Sequence, residues 1–387
     1  MFLPASYINT MRFRTLCVLA LVLFASIDLS VAQFKSKSSF SPGELWLDNN
    51  GVHINAHGGG ILLHQGIYYW FGEHKWNGNT ALVGVHVYSS RDLYNWKDEG
   101  IALAVSEDPA SEITKGCIIE RPKVIYNEAT KKFVMWFHLE YKGRDYKEAR
   151  VGLATSDKVT GPFTYIRSFR PNAGHWPIEA TDEFKSPADP EKEKALKGRA
   201  AVIGGRFVRR DYERGQMSRD MTLYVDDDRK AYLLTSSEEN QTLHLHELTE
   251  DYTGFTGKWT RIFPGNENEG PAIFKHKGKY YMISSGCTGW KPNPARSGVA
   301  DSILGPWKSM GNPCRGTDQE KKTTFESQST FILPAPDRPD SFIFMGDRWR
   351  PENSSDGRYV WLPIEWEGDK PVLNWHAEWN MSVFSEK

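Results

Sequence analysis

Four acidic residues head apolar, alternating stretches that resemble one another. Glu120 precedes Arg121-Pro122-Lys123-Val124, Asp220 precedes Met221-Thr222-Leu223-Tyr224, Glu269 precedes Gly270-Pro271-Ala272-Ile273-Phe274, and Glu326 precedes Ser327-Gln328-Ser329-Thr330-Phe331. A single acid at a strand end is as readily a cap on backbone amides as a reactive group. Four at equivalent places suggest a common destination. Carboxyls brought together beside aromatic rings suit hydrolysis of a glycosidic bond. One, kept protonated, gives its proton to the leaving oxygen, while a group on the other face activates water or attacks directly. The proton donor needs a raised pKa, which burial or a neighbouring carboxylate supplies. Asp220 beside Glu269 would provide that neighbour.

The elements that must bring these acids together follow from the repetition. Each head runs through a turn into a second alternating strand, as Glu269 does into Lys279-Tyr280-Tyr281-Met282-Ile283. A fifth copy, Asn55-Ala56-His57-Gly58-Gly59-Gly60-Ile61 followed by Ile67-Tyr68-Tyr69-Trp70, lacks the acid. Positions 57, 120, 220, 269 and 326 lie about fifty residues apart once an insertion near 170–217 is set aside, a period expected of propeller blades. The expected fold is therefore all-β, a five-bladed β-propeller over 46–387, whose first strands converge on a central channel. The stretch from Val372 to Trp379 is expected to complete blade one and so hide the sheet edges. The insertion is rich in Pro, Glu, Lys and Arg, and is expected to hold one short helix and to wall one side of the pocket. Residues 33–45 read as a flexible lead-in.

Composition narrows the class. The chain carries 48 basic and 49 acidic residues, which leaves no nucleic-acid footprint. Its 14 Trp, 16 Tyr and 20 Phe suit both sheets and sugar-binding grooves. Arg12 and Arg14, an apolar run from Leu16 to Ala25 and the small residues Ser30-Val31-Ala32 read as a signal peptide over 1–32, hence a secreted or periplasmic protein. An uncleaved anchor or a lipid attachment is the alternative. Beyond it remain Cys117, Cys287 and Cys314, an odd number that permits one bridge at most. Cys287 with Cys314 is the favoured pair, and burial as small hydrophobes is the other reading.

Five motifs together carry a resemblance: Asn55-Ala56-His57-Gly58-Gly59-Gly60, Glu120-Arg121-Pro122-Lys123-Val124, Ser218-Arg219-Asp220-Met221-Thr222-Leu223, Glu269-Gly270-Pro271 and Ser285-Gly286-Cys287-Thr288-Gly289-Trp290. Over residues 42–383 the chain resembles glycoside hydrolase family 43 and, within it, the exo-β-1,3-galactanase branch. The resemblance implies a five-bladed propeller and an inverting hydrolysis, with Glu269 as general acid and Asp220 as the carboxylate that tunes and orients it. The first-blade Asp base of most of the family is missing here, as in the galactanase branch. There a Gln is thought to hold the water, and Gln328 stands at the matching position. Glu120 resembles the branch's substrate-holding Glu and is a second candidate base.

Other residues are candidates for reading sugar hydroxyls: Glu73, Tyr141, Asn240, Thr288 and Trp290, with Glu326 among the converging acids. His57 could hold a structural cation or a water on the axis, or be a satisfied core histidine. No cluster has zinc spacing. Gly58-Gly59-Gly60 is not a phosphate loop, since no Lys-Ser/Thr follows, and reads as room for close backbone approach near the sugar. The expected protein is a monomer that needs no cofactor, contacts no membrane after signal removal, and acts on a plant polysaccharide or oligosaccharide. The favoured substrate is β-1,3-galactan of arabinogalactan side chains. Rival readings are another family 43 specificity (galactofuranosidase, arabinofuranosidase or xylosidase) and a non-catalytic carbohydrate-binding propeller.

Overall fold

A computed structural model describes residues 36–385 apart from 188 and 339. The expected signal segment lies outside the described residues. The chain forms five four-stranded antiparallel sheets, each with its strands in chain order. The first strands are His57–His64, Ile118–Asn127, Met221–Val225, Glu269–His276 and Gln328–Pro334. Each packs against the next and the last against the first, so the molecule is a five-bladed β-propeller.

Strict alternation in the second strands builds the core between blades. Successive side chains of a strand point to opposite faces, and here each face meets a different neighbour. Trp70 lies in the layer between blades five and one with Trp361, while Phe71 faces blade two. Met135 and Phe137 turn back toward blade one, and Trp136 turns forward to blade three. Leu233 and Leu234, Met282 and Ile283, and Phe344 and Met345 divide in the same way. Truncating one of the large members, such as Trp70→Ala, would cost about 3–5 kcal/mol in lost burial and cavity.

Three expectations about the edges need correction. The strand Lys370–Leu373 is the fourth strand of blade five, paired with Arg358–Glu367, and does not complete blade one. The ring closes instead through contact of the first strands and an aromatic cluster in which Trp379 donates its indole N–H to the Trp361 carbonyl at 2.8 Å. Phe40 is 2% exposed and its amide bonds the Trp379 carbonyl at 2.7 Å, so this part of the expected flexible lead-in is anchored in the core. The apolar surface of Phe40 and Trp46 outweighs the Ser/Lys composition around them. The three cysteines Cys117, Cys287 and Cys314 are all free, so the expected Cys287–Cys314 bridge does not form.

The described residues of the insertion form four short helices rather than one: Asp182–Lys185, Pro190–Ala195, Gly198–Ile203 and Arg206–Arg210. Thr181 and Asp189 cap the first two with side-chain oxygens, and Pro190 opens the second where a missing N–H costs nothing. The segment lies along the outer strand of blade three, where the Ile178 amide bonds the Trp259 carbonyl at 2.9 Å.

Candidate active site

The first strands kink as they reach the channel mouth. In blade one His57 pairs with Glu73 but Gly60 with Phe71; in blade two Glu120 pairs with His138 but Lys123 with Trp136; in blade four Glu269 pairs with Ser285 but Ala272 with Ile283. Each contains one extra residue, a β-bulge, which bends the strand and re-aims the side chain before it. The residue after each head is left-handed: Gly58 at φ 58°, Arg121 at 54° and Gly270 at 55°. At Gly270 a Cβ would fall 2.5 Å from the Ser329 carbonyl oxygen. Arg121 occupies this station without being glycine, at a strain of about 1–2 kcal/mol. Its amide N–H donates to Glu73 Oε1 at 2.9 Å, and its guanidinium is held on the far side by other blades.

The bulges and the ends of the second strands together line one pit. Arg121 is its hub. Nη2 donates to Asp220 Oδ2 at 2.8 Å and to Gln328 Oε1 at 2.6 Å, and Nη1 to the Ser329 carbonyl at 3.2 Å. Glu73, Glu120, Asp220 and Glu269 all line the pit, and three of the four have a cation of their own. Lys75 Nζ lies 2.5 Å from Glu73 Oε2. Arg121 serves Asp220. His138 Nδ1 lies 3.1 Å from Glu120 Oε2, with its Nε2 2.8 Å from the buried Glu140. Glu269 differs. Its Oε1 accepts from Asn240 Nδ2 at 2.7 Å and from the Cys287 thiol at 3.2 Å, both neutral donors.

The electrostatics follow this partition at Glu269 and Glu120, whereas burial raises Glu73 even against the charge of Lys75. Burial first, and then the Asp220 carboxylate, push the Glu269 pKa up to about 7. Burial would also raise Glu120, but hydrogen bonding from His138, the charge on Lys75 and the Tyr146 hydroxyl (2.7 Å to Oε1) hold it down to about 2. Burial opposes the charge on His138, yet Glu120 and Glu140 lift it to about 9. Lys75 is likewise raised, because Glu73 and then Glu120 outweigh its burial. The pit thus holds one carboxyl poised to carry a proton near neutrality beside one fixed as an anion.

Gln328 is locked in place. Its Oε1 accepts from Arg121 and from Trp349 Nε1 at 2.9 Å, while its Nε2 donates to Ser285 Oγ at 3.0 Å. Arg121 and the Trp349 indole can only donate, so the amide oxygen faces two donors and cannot carry a hydroxyl proton toward them. Trp349 also meets Trp290 edge to face at 5.6 Å between centroids, with Lys75 5.8 Å from its ring. Trp290 is 40% exposed and forms a free apolar wall.

Of the residues expected at the site, Glu269, Asp220, Gln328, Glu120, Glu73, Asn240 and Trp290 line the pit. Four do not. Tyr141 donates its hydroxyl to Glu112 at 2.5 Å beside Ser168, away from the pit, because its strand has ended and the chain has turned outward. Thr288 holds its own turn, bonding the Lys291 carbonyl at 2.5 Å and Asn293 Nδ2 at 2.8 Å. His57 is fully buried and stacked on Tyr359 at 5.3 Å, with neither ring nitrogen bonded to a described residue. Among the described residues no group of three or more His, Cys, Asp or Glu could hold a metal ion. Glu326 precedes its strand by two residues and faces an adjoining hollow, 3.9 Å from Arg348 Nε. The blade-five head at the pit is Gln328, paired with the buried Asp347.

Two wider expectations are also corrected. Gly58-Gly59-Gly60 admits the Glu73 carboxylate, the Phe71 carbonyl and the Lys123 side chain rather than a sugar. No described residue of 170–217 lines the pit, because the insertion follows the outer strand of blade three. Sequence reasoning missed Arg121, Lys75, His138, Tyr146, Cys287 and Trp349. Glu73-x-Lys75 and His138-x-Glu140 stand at the ends of second strands opposite a first-strand head, and that position was the available signal.

Comparison with known proteins gives the family. The profile of Glycosyl hydrolases family 43 matches residues 200–371. A solved family 43 β-1,3-galactosidase, bound to galactodeoxynojirimycin, is 52% identical with a TM-score of 0.85, covering 88% of this chain and all of that one (100%). A second family 43 β-1,3-galactosidase is 37% identical at TM-score 0.76, covering 90% of this chain and 65% of its own. The exo-β-1,3-galactanase of Phanerochaete chrysosporium, solved with β-1,3-galactotriose, is 31% identical at TM-score 0.72, covering 91% of this chain and 70% of its own. Comparison with curated protein sequences finds no match.

Proposed function

The chain belongs to glycoside hydrolase family 43, and on that premise we propose that it is an exo-acting enzyme releasing terminal galactose from β-1,3-galactan. The observation that carries the chemistry is the partition of charge in the pit. Among the described residues the Glu269 carboxyl is bonded by Asn240 and Cys287, and its pKa is raised to about 7, so it can arrive protonated at neutral pH. It gives that proton to the leaving glycosidic oxygen, a contribution worth roughly 10²–10⁴-fold. Asp220 keeps the proton on Glu269 by charge and fixes the bulge that carries it. Glu120, held as an anion, accepts from sugar hydroxyls and is a weak base. Gln328 presents a rigid amide that positions water rather than taking its proton first. The attacking water forms the new C–O bond as the glycosidic bond breaks and then gives its proton to the Glu120 carboxylate or to bulk solvent, with inversion at the anomeric carbon as the expected outcome. The Trp290 wall suits the apolar face of a galactose ring.

The likeness to two β-1,3-galactosidases and an exo-β-1,3-galactanase supports the choice of sugar and linkage. The proposed enzyme is secreted or periplasmic, monomeric and independent of added cofactors, so chelator treatment should leave turnover unchanged. Incubation with β-1,3-galactan and a panel of nitrophenyl glycosides, with product analysis by NMR, tests the reading. Galactose released first as the α-anomer supports it. Preference for an arabinofuranoside or xyloside would reassign the substrate, and binding without release at any pH would make the chain a carbohydrate-binding propeller.

A further inference from the structure

Asn240 reaches Glu269 from an unusual piece of backbone. Glu238, Glu239 and Asn240 lie consecutively at φ 51°, 57° and 63° in the turn after the strand Ala231–Ser237. L residues rarely adopt this conformation even singly, and a run of three persists only where its surroundings over-determine it. Blade three and the insertion surround it together, and Arg219, which lines the pit, donates to Asn240 Oδ1 at 3.2 Å and to Glu239 Oε2 at 3.3 Å. Glu238 is 1% exposed, and its Oε1 accepts from Arg261 Nε at 2.7 Å and lies 2.8 Å from His244 Nε2. Its Oε2 accepts from Arg261 Nη2 at 2.8 Å. The same Nη2 donates to the Val202 carbonyl of the helix Gly198–Ile203 at 2.6 Å, and the Arg261 amide donates to Glu179 at 2.9 Å. Arg210, from the next helix, donates to Glu239 at 2.9 Å. On the other side the Asn240 carbonyl accepts the amide of Asn268, the residue before Glu269, at 2.8 Å.

We propose that the insertion braces the catalytic acid, with Glu238 and Arg261 as positioning residues that hold the strained turn so that Asn240 meets Glu269. Neither residue lines the pit, and the mechanism uses neither. The inference rests on the reading of Glu269 as the general acid. A buried ion pair with only a structural role would, when weakened, lower the amount of folded enzyme or its turnover on every substrate alike. A brace on the acid predicts a loss that depends on the leaving group, because a good leaving group needs no proton.

The test compares turnover on β-1,3-galactobiose with turnover on dinitrophenyl β-galactoside in the full chain, for wild type, Glu269→Gln, Glu238→Gln and Arg210→Ala. Glu238→Gln removes a charge but keeps the shape, and is expected to lower kcat on the disaccharide about tenfold or more through misplacement. KM should stay within about twofold, and the dinitrophenyl substrate should lose far less. Arg210→Ala removes a half-exposed side chain that also pairs with the buried Asp211, so it should lower the amount of folded enzyme somewhat and, per folded molecule, show the same dependence in smaller degree. It decides the matter if Glu238→Gln fails to fold. Equal losses on both substrates, or none, in a folded variant overturn the brace. If Glu269→Gln itself shows no leaving-group dependence, the assignment of the acid has failed instead.

Discussion

Asp220 holds Glu269 by way of Gly270: its Oδ2 accepts the Gly270 amide at 2.9 Å, one residue beyond the acid. The same carboxylate does two jobs, fixing the bulge that aims Glu269 and adding negative charge that keeps a proton on it. In the Asp220→Asn variant the amide oxygen can still accept from Gly270, but the charge is gone. Burial still raises the Glu269 pKa, now without its second cause, so the value should fall below the about 7 of the native site. Because the protonated form is the active one, the alkaline limb of kcat/KM against pH should move to lower pH. A limb that stays put or moves up would contradict this coupling.

Arg121 should be the residue the pit can least spare. It is 4% exposed, strained at φ 54°, and serves Asp220, Gln328 and the Ser329 carbonyl at once. Arg121→Met leaves the part-buried Asp220 carboxylate without its cation and three acceptors without their donor, and should destabilise the fold by up to about 3–5 kcal/mol. Arg121→Lys keeps the charge but cannot span the same acceptors, so it should fall between the two. Denaturant titration measures both; a Lys variant as stable as wild type would show that charge alone matters.

His138 predicts a pH dependence of stability. Its folded pKa is raised to about 9 from 6.5, because Glu120 and Glu140 outweigh its burial. The contribution is fully present below 6.5 and is lost as pH rises through about 9. Thermal unfolding of wild type should therefore shift to lower temperature across that window more than unfolding of His138→Asn. Parallel curves would mean that the imidazole is not charged in the folded protein.

The two tryptophans should separate binding from turnover. Trp290 is a wall whose only described bonded contacts are with other side chains of the pit, so Trp290→Ala should mainly raise KM. Trp349 also donates to Gln328 at 2.9 Å, so Trp349→Ala should lower kcat as well. Steady-state kinetics on β-1,3-galacto-oligosaccharides distinguishes them, and identical profiles would contradict the proposed role of the Gln328 amide.

The propeller was legible because alternation in the second strands is nearly unbroken, as at Trp70 and Phe71 or Phe344 and Met345. Glu120, Asp220 and Glu269 were legible for the same reason, each lying within two residues of the start of a first strand. Glu326 misled because blade five starts two residues later, at Gln328, and no apolar pattern marks that difference. The cations were not legible. Lys75 and His138 come from the far ends of second strands, and Arg121 from inside a bulge, so their meeting depends on register rather than on spacing along the chain. The role of the insertion was also hidden, since composition shows only that a segment such as Phe184 to Arg199 is polar.

The central claim is that Glu269 donates the proton, and the Glu269→Gln variant tests it most directly when assayed on two substrates of equal sugar but unequal leaving group. The account predicts a loss of about 10²–10⁴-fold in kcat on β-1,3-galactobiose with much of the rate retained on dinitrophenyl β-galactoside. Equal loss on both substrates, or undiminished turnover of the disaccharide, would contradict it.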